Sequence, residues 1–484
     1  MMTIFKRTKI VATLGPATDE VAMLDKMIEA GIDVVRLNFS HGEPEQHRKR
    51  AELVRERAKK AGRIVGIMAD LQGPKIRIDR FEKDKIILEE GDKFTLDATL
   101  AANVGTQNKV GITYKQLPKD VCKNDTLLLD DGRIVLKVKE VTDGQINCKV
   151  KVGGVLSNNK GINRLGGGLS ADALTHKDRQ DILVAADLQV DYVAVSFPRF
   201  AEDIHQAREL LKAAGSKASI IAKMERAESL DNHIEIIQAA DVIMVARGDL
   251  GVEIGDEALP AAQKCLIKAA REHDKVVITA TQMMESMIDS PIPTRAEVSD
   301  VANAVFDGTD AVMLSGETAV GINPDKAVKA MARVCREAEK HPMSKTSDHR
   351  ITNTFGRIDE AIAMSTMYAA NHLNVKAIAA LTESGATPLW MSRINSSIPI
   401  FALSRQASTC AKMTLFRDVS PINIDVCDVD VVQVNEKIIQ ELLQRGAVSE
   451  GDLVIITKGD MKGISGGTNM MKIVCVGKPM IEVN

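Results

Sequence analysis

Two residues of opposite charge, Lys223 and Glu225, stand two positions apart in the run SIIAKME and could act on a phosphorylated substrate. If this run is a strand, both side chains project to the same side of it. Asp249 ends the run DVIMVARGD. Together with Glu225 it supplies hard carboxylate oxygens of the kind that Mg²⁺ prefers. Lys223 and Arg36 supply the positive charge that a phosphoryl group requires, one as a point charge and one as a planar fork.

Further polar residues also stand at the ends of apolar runs, and they strengthen the case for a catalytic site. They are Asn38, Ser40, Asp70, Arg247, Thr281, Ser315 and Glu317. In the turn predicted for RGDLG, the backbone N–H groups of Gly248 and Asp249 could bind a carboxylate. A single Lys–Glu pair is more often a structural ion pair, but so many polar groups at strand ends favour a site.

These residues need a scaffold, and eight apolar runs followed by helix-like segments provide one. The runs are Lys9–Gly15, Asp33–Ser40, Ile64–Asp70, Asp191–Phe197, Ser219–Glu225, Asp241–Asp249, Lys275–Thr281 and Asp310–Glu317. Nearly continuous apolar runs are typical of parallel strands buried on both faces. Val21, Leu24 and Ile28 are expected to share one helix face, with Gly31 as the C-terminal cap. The pattern predicts an α/β fold, a (β/α)8 TIM barrel, with its functional residues at the C-terminal ends of the strands.

The alternation breaks once, after Asp70, where short strand-like runs separated by turn residues predict an inserted β domain. The Gly-rich segment Lys160–Ser170 reads as its hinge. After Pro342 a polar stretch, MSKTSDHRITNT, reads as a linker to a third region with its own strands and helices. The predicted domains are a catalytic barrel at 1–70 and 171–342, a small β-barrel lid at 71–170, and a C-terminal α/β domain at 355–484.

Composition excludes several classes of protein. Lys plus Arg is 63 against 66 Asp plus Glu, and only 3% of residues are aromatic, which argues against a nucleic-acid binder. The sequence has no secretory signal and no apolar stretch of membrane-spanning length, so we expect a cytoplasmic protein without a membrane partner. Seven scattered cysteines are expected to be reduced thiols. They are Cys122, Cys148, Cys265, Cys335, Cys410, Cys427 and Cys475.

Seven motifs resemble those of pyruvate kinase, and they occur in that family's order. They are RLNFSHG (36–42), DLQGPKIR (70–77), IIAKMER (220–226), MVARGDLGVE (244–253), TATQMMESM (279–287), PTRAEVSDVANAV (293–305) and DAVMLSGETA (310–319). The resemblance covers essentially the whole chain. It implies transfer of the phosphoryl group of phosphoenolpyruvate to ADP, giving pyruvate and ATP in the final step of glycolysis.

The resemblance assigns roles in the substrate and metal site. Arg36 and Lys223 would hold the transferring phosphoryl group, and Lys223 would also stabilise the charge on the enolate oxygen. Glu225 and Asp249 would bind Mg²⁺, or Mn²⁺ in its place. The substrate carboxylate would be fixed by Gly248 and Asp249, together with Thr281.

The same resemblance assigns the proton route and the nucleotide contacts. A chain of hydroxyls and water near Thr281 and Ser315 would carry the proton that converts the enol to the ketone. Arg77 and Lys160 would contact the nucleotide phosphates, with a second magnesium arriving on ADP, and the lid would close to exclude water. His41 serves either a local turn or a nucleotide contact.

One departure from the family pattern concerns potassium. Members that need K⁺ bind it through residues matching Asn38, Ser40 and Asp70, a Thr after that Asp, and a Glu four positions further on. Here those last two positions are Leu71, which offers no side-chain oxygen, and Lys75, whose ammonium can replace the ion's charge. The sequence therefore predicts activity without potassium.

The C-terminal domain resembles the family's effector domain. In TESGATP, the hydroxyls of Thr382, Ser384 and Thr387 and nearby N–H groups would suit a phosphate, and GISGGTN could form a second loop over the same ligand. Ordinary loop and cap chemistry explains any one of these residues equally well. The resemblance implies a sugar-phosphate or nucleotide effector and a homotetramer.

Two other functions remain open from the residues. Another magnesium-dependent barrel that handles enolates, such as an aldolase or lyase, shares the Lys–Glu–Asp arrangement but needs neither a lid nor a nucleotide site. A non-catalytic metabolite sensor could keep the effector domain on an inactive barrel, although the intact Arg36, Lys223, Glu225, Asp249 and Thr281 argue against it.

Overall fold

A computed structural model describes most of the chain, in four ranges. These are residues 6–344, 354–426, 429–460 and 463–478. Cys427 and positions 345–353 of the predicted linker lie outside the described residues. The chain divides into two compact units, the first of residues 1–69, 188–192 and 270–484, and the second of residues 70–187 and 193–269.

Eight parallel strands close into a barrel, as the apolar runs predict. The strands are Lys9–Thr13, Val34–Asn38, Gly66–Asp70, Tyr192–Val195, Ser219–Met224, Val242–Ala246, Val276–Ala280 and Ala311–Leu314. In the first unit, the first strand pairs with the second and the eighth, and the seventh also pairs with the eighth. In the second unit, the fifth strand pairs with the sixth. Their Val, Ile and Ala side chains are almost entirely buried, which is why the runs lack alternation.

Helices connect the barrel strands. They span Val21–Ala30, Pro44–Lys60, His176–Asp187, Ala201–Ala213, Ala227–Asp231, His233–Ala239, Arg247–Ile254, Leu259–Glu272, Arg295–Asp307, Gly316–Ala319 and Pro324–Ala338. In the first helix Leu24 and Ile28 are buried, and Gly31 caps the end with a φ of 106°. Val21, the first helical residue, is 45% exposed. No helix in the described ranges has the length and hydropathy needed to span a bilayer.

The segment between the third and fourth barrel strands is mostly β structure. Its strands are Lys85–Leu88, Lys93–Asp97, Lys109–Gly111, Thr126–Leu129, Ile134–Thr142, Gln145–Val152, Gly154–Ser157 and Ile162–Arg164, with one short helix, Leu117–Asp120. They form a six-stranded and a two-stranded sheet, so the expected small β-barrel is seen as two separate sheets. The predicted hinge contains one of these strands, Ile162–Arg164, which pairs with Thr126–Leu129.

The C-terminal region is an α/β domain with one five-stranded sheet. Its elements are helices Ile358–His372, Ala386–Arg393, Ala407–Lys412 and Val431–Gln444 and strands Val375–Leu381, Ile400–Ser404, Val419–Asn423, Leu453–Gly459 and Thr468–Cys475. The strand Val419–Asn423 is absent from the sequence prediction. It lies at the edge of the sheet, where Pro421 is tolerated although it cannot donate to a neighbouring strand.

A buried ion pair joins the C-terminal domain to the base of the eighth barrel strand. Arg393 and Asp310 are both fully buried, and Arg393 Nη1 donates to Asp310 Oδ2 at 3.0 Å. The same carboxylate accepts hydrogen bonds from the backbone N–H groups of Val277 and Arg417. Every oxygen of this buried carboxylate therefore has a partner, as the low dielectric of the interior requires.

Candidate active site

Lys223 lies at the centre of the candidate site in the second unit. Its Nζ is 2.9 Å from Glu225 Oε1 and 3.2 Å from Asp70 Oδ1, and it donates to Ser196 Oγ at 2.7 Å. The Lys223 side chain is 12% exposed, whereas those of Asp70 and Glu225 are almost completely buried. A buried carboxylate is stable only when it is paired, so this ammonium both neutralises and orients its neighbours.

Glu225 lies one residue beyond the end of the fifth strand, and its carboxylate has defined partners on both oxygens. Oε1 faces Lys223, and Oε2 accepts from the backbone N–H of Phe197 at 3.0 Å. Burial raises the pKa of Glu225 to about 7; Lys223 opposes this shift, and the negative charges of Asp249 and Asp70 add to it. The negative charge of Asp249 therefore acts on Glu225.

The two carboxylates fit a divalent cation that keeps other positions for water and substrate. A dication beside Glu225 would relieve both the burial of its charge and the repulsion from Asp249, and carboxylate oxygens suit Mg²⁺. In the described ranges, no group of three or more His, Cys, Asp or Glu side chains is arranged to hold a metal. Glu225 and Asp249 would thus supply two protein ligands only, which is usual for a magnesium ion that also binds substrate oxygens.

RGDLG does not form the predicted turn: Arg247–Ile254 is an eight-residue helix that begins directly after the sixth strand. Gly248 and Asp249 therefore lie in its first turn. The first N–H groups of a helix have no partner within the helix, and the helix dipole favours negative charge there. The chemistry expected of these two residues, binding of a carboxylate, is compatible with this helical geometry.

Lys75 contacts a proposed magnesium ligand. Its Nζ lies 3.4 Å from Asp249 Oδ1, and both side chains are partly exposed. Leu71, the other residue of the potassium argument, is buried, and its N–H donates to the carbonyl of Ala194. Asp70 faces Lys223, as described above, so the structure places a lysine beside each of two acidic residues of this unit.

The predicted nucleotide contacts Arg77 and Lys160 lie in neighbouring parts of the inserted segment, where Arg77 bridges to Gly161. Lys160 Nζ forms an ion pair of 2.7 Å with Asp130 Oδ1. The Lys160 ammonium is about one-third exposed, so a phosphate could compete with Asp130 for it. Sequence patterns gave no indication of this pairing.

Arg36, Thr281 and Ser315 belong to the first unit. Arg36 lies within the second barrel strand, whereas Thr281 and Ser315 directly follow the seventh and eighth. Arg36 Nη1 donates to Thr13 Oγ1 at 3.1 Å. Thr281 has a φ of 66°, uncommon for a β-branched residue, and its Oγ1 donates to the carbonyl of Ala280 at 2.6 Å. Ser315 N–H donates to Glu317, and burial raises the pKa of that carboxyl.

Asn38, Ser40 and His41 form a local turn in the same unit. The N–H of Ser40 donates to Asn38 Oδ1 at 3.1 Å, and the N–H of His41 donates to the carbonyl of Asn38. The His41 carbonyl in turn accepts from His47 Nε2 at 3.0 Å. These contacts favour the turn role for the backbone of His41, while its side chain is exposed.

Ser196 and Phe197 were not among the site residues predicted from the sequence. They follow the fourth strand, so inspection of every strand end would have selected the hydroxyl of Ser196. Lys75, Arg226 and Glu253 are among the residues that line a cleft of about 300 Å³. Burial raises the pKa of Glu253 to about 7, which no pattern in the sequence indicates.

The C-terminal domain contains a separate cavity of about 850 Å³, and the three predicted effector residues line it. Thr382 Oγ1 accepts from the N–H of Gly385, and Ser384 Oγ accepts from the N–H of Ala386. Thr387 Oγ1 lies 3.0 Å from Thr468 Oγ1. Residues of the second predicted loop, 463 and 466–468, line the same cavity, together with Arg405 and Lys458.

A closed parallel barrel with a half-buried lysine and buried carboxylates at the ends of its strands defines a (β/α)8-barrel enzyme. Family models identify it further: one described as the pyruvate kinase barrel domain matches residues 5–328, and one described as the pyruvate kinase alpha/beta domain matches residues 360–474. The chain therefore belongs to the pyruvate kinase family, whose members are phosphotransferases.

Relatives agree over nearly the full length. Pyruvate kinase II of Salmonella typhimurium is 57% identical over 475 residues, which covers 97% of this chain and 99% of the relative. A pyruvate kinase of Haemophilus influenzae is 56% identical over 459 residues, or 94% and 96% of the two chains. The crystal structure of a pyruvate kinase from Cryptosporidium parvum matches with a TM-score of 0.90 at 35% identity, covering 97% of this chain and 96% of that one.

Proposed function

We propose that this protein transfers the phosphoryl group of phosphoenolpyruvate to ADP, giving pyruvate and ATP in the final step of glycolysis, in the cytoplasm, with Mg²⁺ as its cofactor. The observation that carries this proposal is the ammonium of Lys223, held 2.9 Å from Glu225 and 3.2 Å from Asp70. Family membership and this geometry support the same reaction.

Lys223 and Arg36 bind and orient the phosphoryl group. Charge spreads over the phosphoryl oxygens and the enolate oxygen during transfer, and preorganised cations stabilise it without reorganising. Lys223 is preorganised by three contacts within its own unit. Arg36 is directed by its hydrogen bond to Thr13.

Glu225 and Asp249 would hold Mg²⁺, or Mn²⁺ in its place. When bound, this ion supplies positive charge to the substrate oxygens and lowers the cost of the charge that develops on them. Gly248 and Asp249 present N–H groups in the first turn of their helix, and with Thr281 they orient the substrate carboxylate.

The hydroxyls of Thr281 and Ser315, together with water, form the route by which a proton reaches the enol carbon. Arg77, Lys160 and His41 bind the nucleotide. We assign residues 71–170 to the lid, 1–70 and 171–342 to the catalytic barrel, and 355–484 to the effector domain. Closure of the lid excludes water, so that the phosphoryl group reaches ADP rather than being hydrolysed.

The effector site of this proposal is the C-terminal cavity. Hydroxyls of Thr382, Ser384 and Thr387 stand near the start of the helix Ala386–Arg393, and Arg405 and Lys458 add positive charge. This chemistry suits the phosphate of a sugar phosphate or nucleotide. We also propose that the protein is a homotetramer and that an effector bound in this cavity regulates its activity.

The deciding experiment measures ATP and pyruvate together, from phosphoenolpyruvate and ADP, with Mg²⁺ and after its removal by a chelator. Both products should appear in equal amounts, and only with the metal. An enolate-handling aldolase or lyase would form no ATP, and a metabolite sensor would form neither product.

A second experiment tests regulation by adding sugar phosphates and AMP in turn. A change in rate that disappears in Thr382→Ala/Ser384→Ala supports the C-terminal cavity as the effector site, and a change in rate that is the same in that variant contradicts it.

A further inference from the structure

Ser196 connects the catalytic lysine to the chain segment that enters the insertion. Its hydroxyl donates to the carbonyl of Leu71 at 2.7 Å and accepts from Lys223 Nζ at 2.7 Å. A serine hydroxyl has one proton and two lone pairs. The hydroxyl proton of Ser196 is donated to the carbonyl of Leu71, so a lone pair of the same oxygen must face Lys223. This arrangement fixes the direction of the hydrogen bond from the Lys223 ammonium. Ser196 is 2% exposed, so water does not replace it.

Phe197 performs the equivalent task for Glu225. Its backbone N–H donates to Glu225 Oε2 at 3.0 Å, and its φ of 57° lies in the left-handed region that bulky residues rarely adopt. The Phe197 ring lies 5.6 Å from the guanidinium of Arg226, whose Nη1 donates to the carbonyl of Leu169. The ring therefore helps to retain a backbone conformation that a free peptide would leave.

The dipeptide also packs against the start of the insertion. A Cβ added to Gly73 would lie 2.7 Å from the Cβ of Ser196 and 3.0 Å from Cδ2 of Phe197. Contacts at Leu71 and Gly73, and through Arg226 at Leu169, place the two residues against both ends of the insertion. A shift of the chain at either end of the insertion would therefore displace Ser196 or Phe197.

We propose that Ser196 and Phe197 are positioning residues for this reaction: the hydroxyl of Ser196 orients Lys223, and the backbone N–H of Phe197 orients Glu225, with both residues seated against the ends of the insertion. This inference rests on the proposed role of Lys223. Neither residue touches the reacting atoms; their effect passes through the ammonium and the carboxylate.

Ser196→Ala tests the inference because it removes the oxygen and leaves Lys223 and Glu225 in place. Misplacing a group that acts in the transition state lowers kcat more than it raises KM, and we expect a loss of about 100-fold in kcat with little change in KM for phosphoenolpyruvate. Ser196→Thr restores the oxygen and should recover most of that loss. Ser396→Ala, which removes an equally buried hydroxyl from the C-terminal domain, should keep the kcat of the unmodified protein.

Thermal unfolding of each variant separates positioning from folding. A folded Ser196→Ala with kcat within about threefold of the unmodified protein overturns the inference. If Ser196→Ala does not fold, Ser196→Cys is used in its place, since a thiol is a weak hydrogen-bond acceptor. A low kcat in Ser196→Cys together with recovery in Ser196→Thr supports the inference. Full activity of Ser196→Cys overturns it. Lys223→Met is assayed in parallel. An active Lys223→Met contradicts the proposed site itself, whereas an inactive one beside an active Ser196→Ala contradicts only the positioning role.

Discussion

Lys75 Nζ lies 3.4 Å from Asp249 Oδ1. A covalently attached cation therefore stands next to a carboxylate to which we assign Mg²⁺, at the position where potassium-dependent family members are expected to carry a Glu. Leu71, which lacks a side-chain oxygen, removes one further ligand for a monovalent ion. We therefore propose that Lys75 supplies the positive charge that potassium-dependent members would take from solution.

Turnover should therefore be similar in potassium and in tetramethylammonium salts. A rise of more than about tenfold on adding potassium, equivalent to ~1.4 kcal/mol in barrier height, would show that the ammonium of Lys75 does not replace the ion. The measurement is the initial rate of pyruvate formation at fixed ionic strength.

Reversing the charge should create a requirement for potassium. Leu71→Thr/Lys75→Glu restores an oxygen ligand and a negative charge, so we expect low activity in tetramethylammonium and stimulation by potassium. Lys115→Glu serves as the control, because Lys115 is also paired with a carboxylate, Asp79, at 3.8 Å, but contacts none of the proposed catalytic groups. Equal potassium responses of the two variants would contradict the prediction.

Replacing Lys223 by Met should abolish phosphoryl transfer while the protein stays folded. Losing a preorganised cation should lower kcat by about 1,000-fold or more. The pKa of Glu225 is already about 7, so this carboxyl can take up a proton when the ammonium is gone and avoid a buried, unpaired charge. Lys177→Met, which removes a lysine paired with Asp181, is the matched control; circular dichroism and the coupled assay read out both variants.

Two glycines with nearly the same φ should respond differently to alanine. Gly73 has a φ of 65° and an added Cβ would meet Ser196 at 2.7 Å, whereas Gly62 has a φ of 64° and nothing within 4 Å. Gly62→Ala should cost about 1–2 kcal/mol of unfolding free energy, from the left-handed conformation alone, and keep full activity. Gly73→Ala should cost more and lower kcat, because the methyl group displaces Ser196. Identical losses in urea unfolding and in kcat would contradict the role given to that contact.

Asp191→Asn should stabilise the protein at high pH only. Burial raises the pKa of Asp191 to about 6 in the folded protein, above its ordinary value of 3.8. The folded state therefore binds more protons than the unfolded state between these values, so the contribution of Asp191 to stability falls as pH rises from about 4 to about 6. Asparagine keeps an acceptor for the N–H of Ile67 and has no such loss.

Above pH 7 the variant should be more stable by up to roughly 3 kcal/mol, the equivalent of two pKa units, and below about pH 3 the difference should vanish. Urea unfolding of both proteins across this range provides the measurement. A pH-independent difference would show that the carboxyl titrates normally in the folded protein.

The barrel was predictable because its strands are buried on both faces and leave nearly unbroken runs of Val, Ile and Ala. The location of the candidate site was predictable because barrel enzymes place their functional groups at one end of those strands. Lys223, Glu225 and Asp70, all predicted to lie at strand ends, meet in the structure.

Features that depend on tertiary contacts left no local pattern. The edge strand Val419–Asn423 contains Ser420 and Pro421, so it resembles a loop until its neighbour in the sheet is known. RGDLG resembles a turn because of its two glycines, yet Gly248 and Gly251 are helical in Arg247–Ile254. The partner of Lys160, Asp130, stands 30 positions away, a pairing that depends on the sheets of the insertion.

The pair formed by Arg393 and Asp310 also limits how this polypeptide could be shortened or recombined. A fragment ending before residue 345 would keep Asp310 but lose the guanidinium and the backbone N–H of Arg417 that neutralise and bind it. An orphaned carboxylate at the foot of the cylinder would then favour hydration and aggregation over folding. Fusions, deletions and domain exchanges should accordingly keep the barrel and the C-terminal domain together.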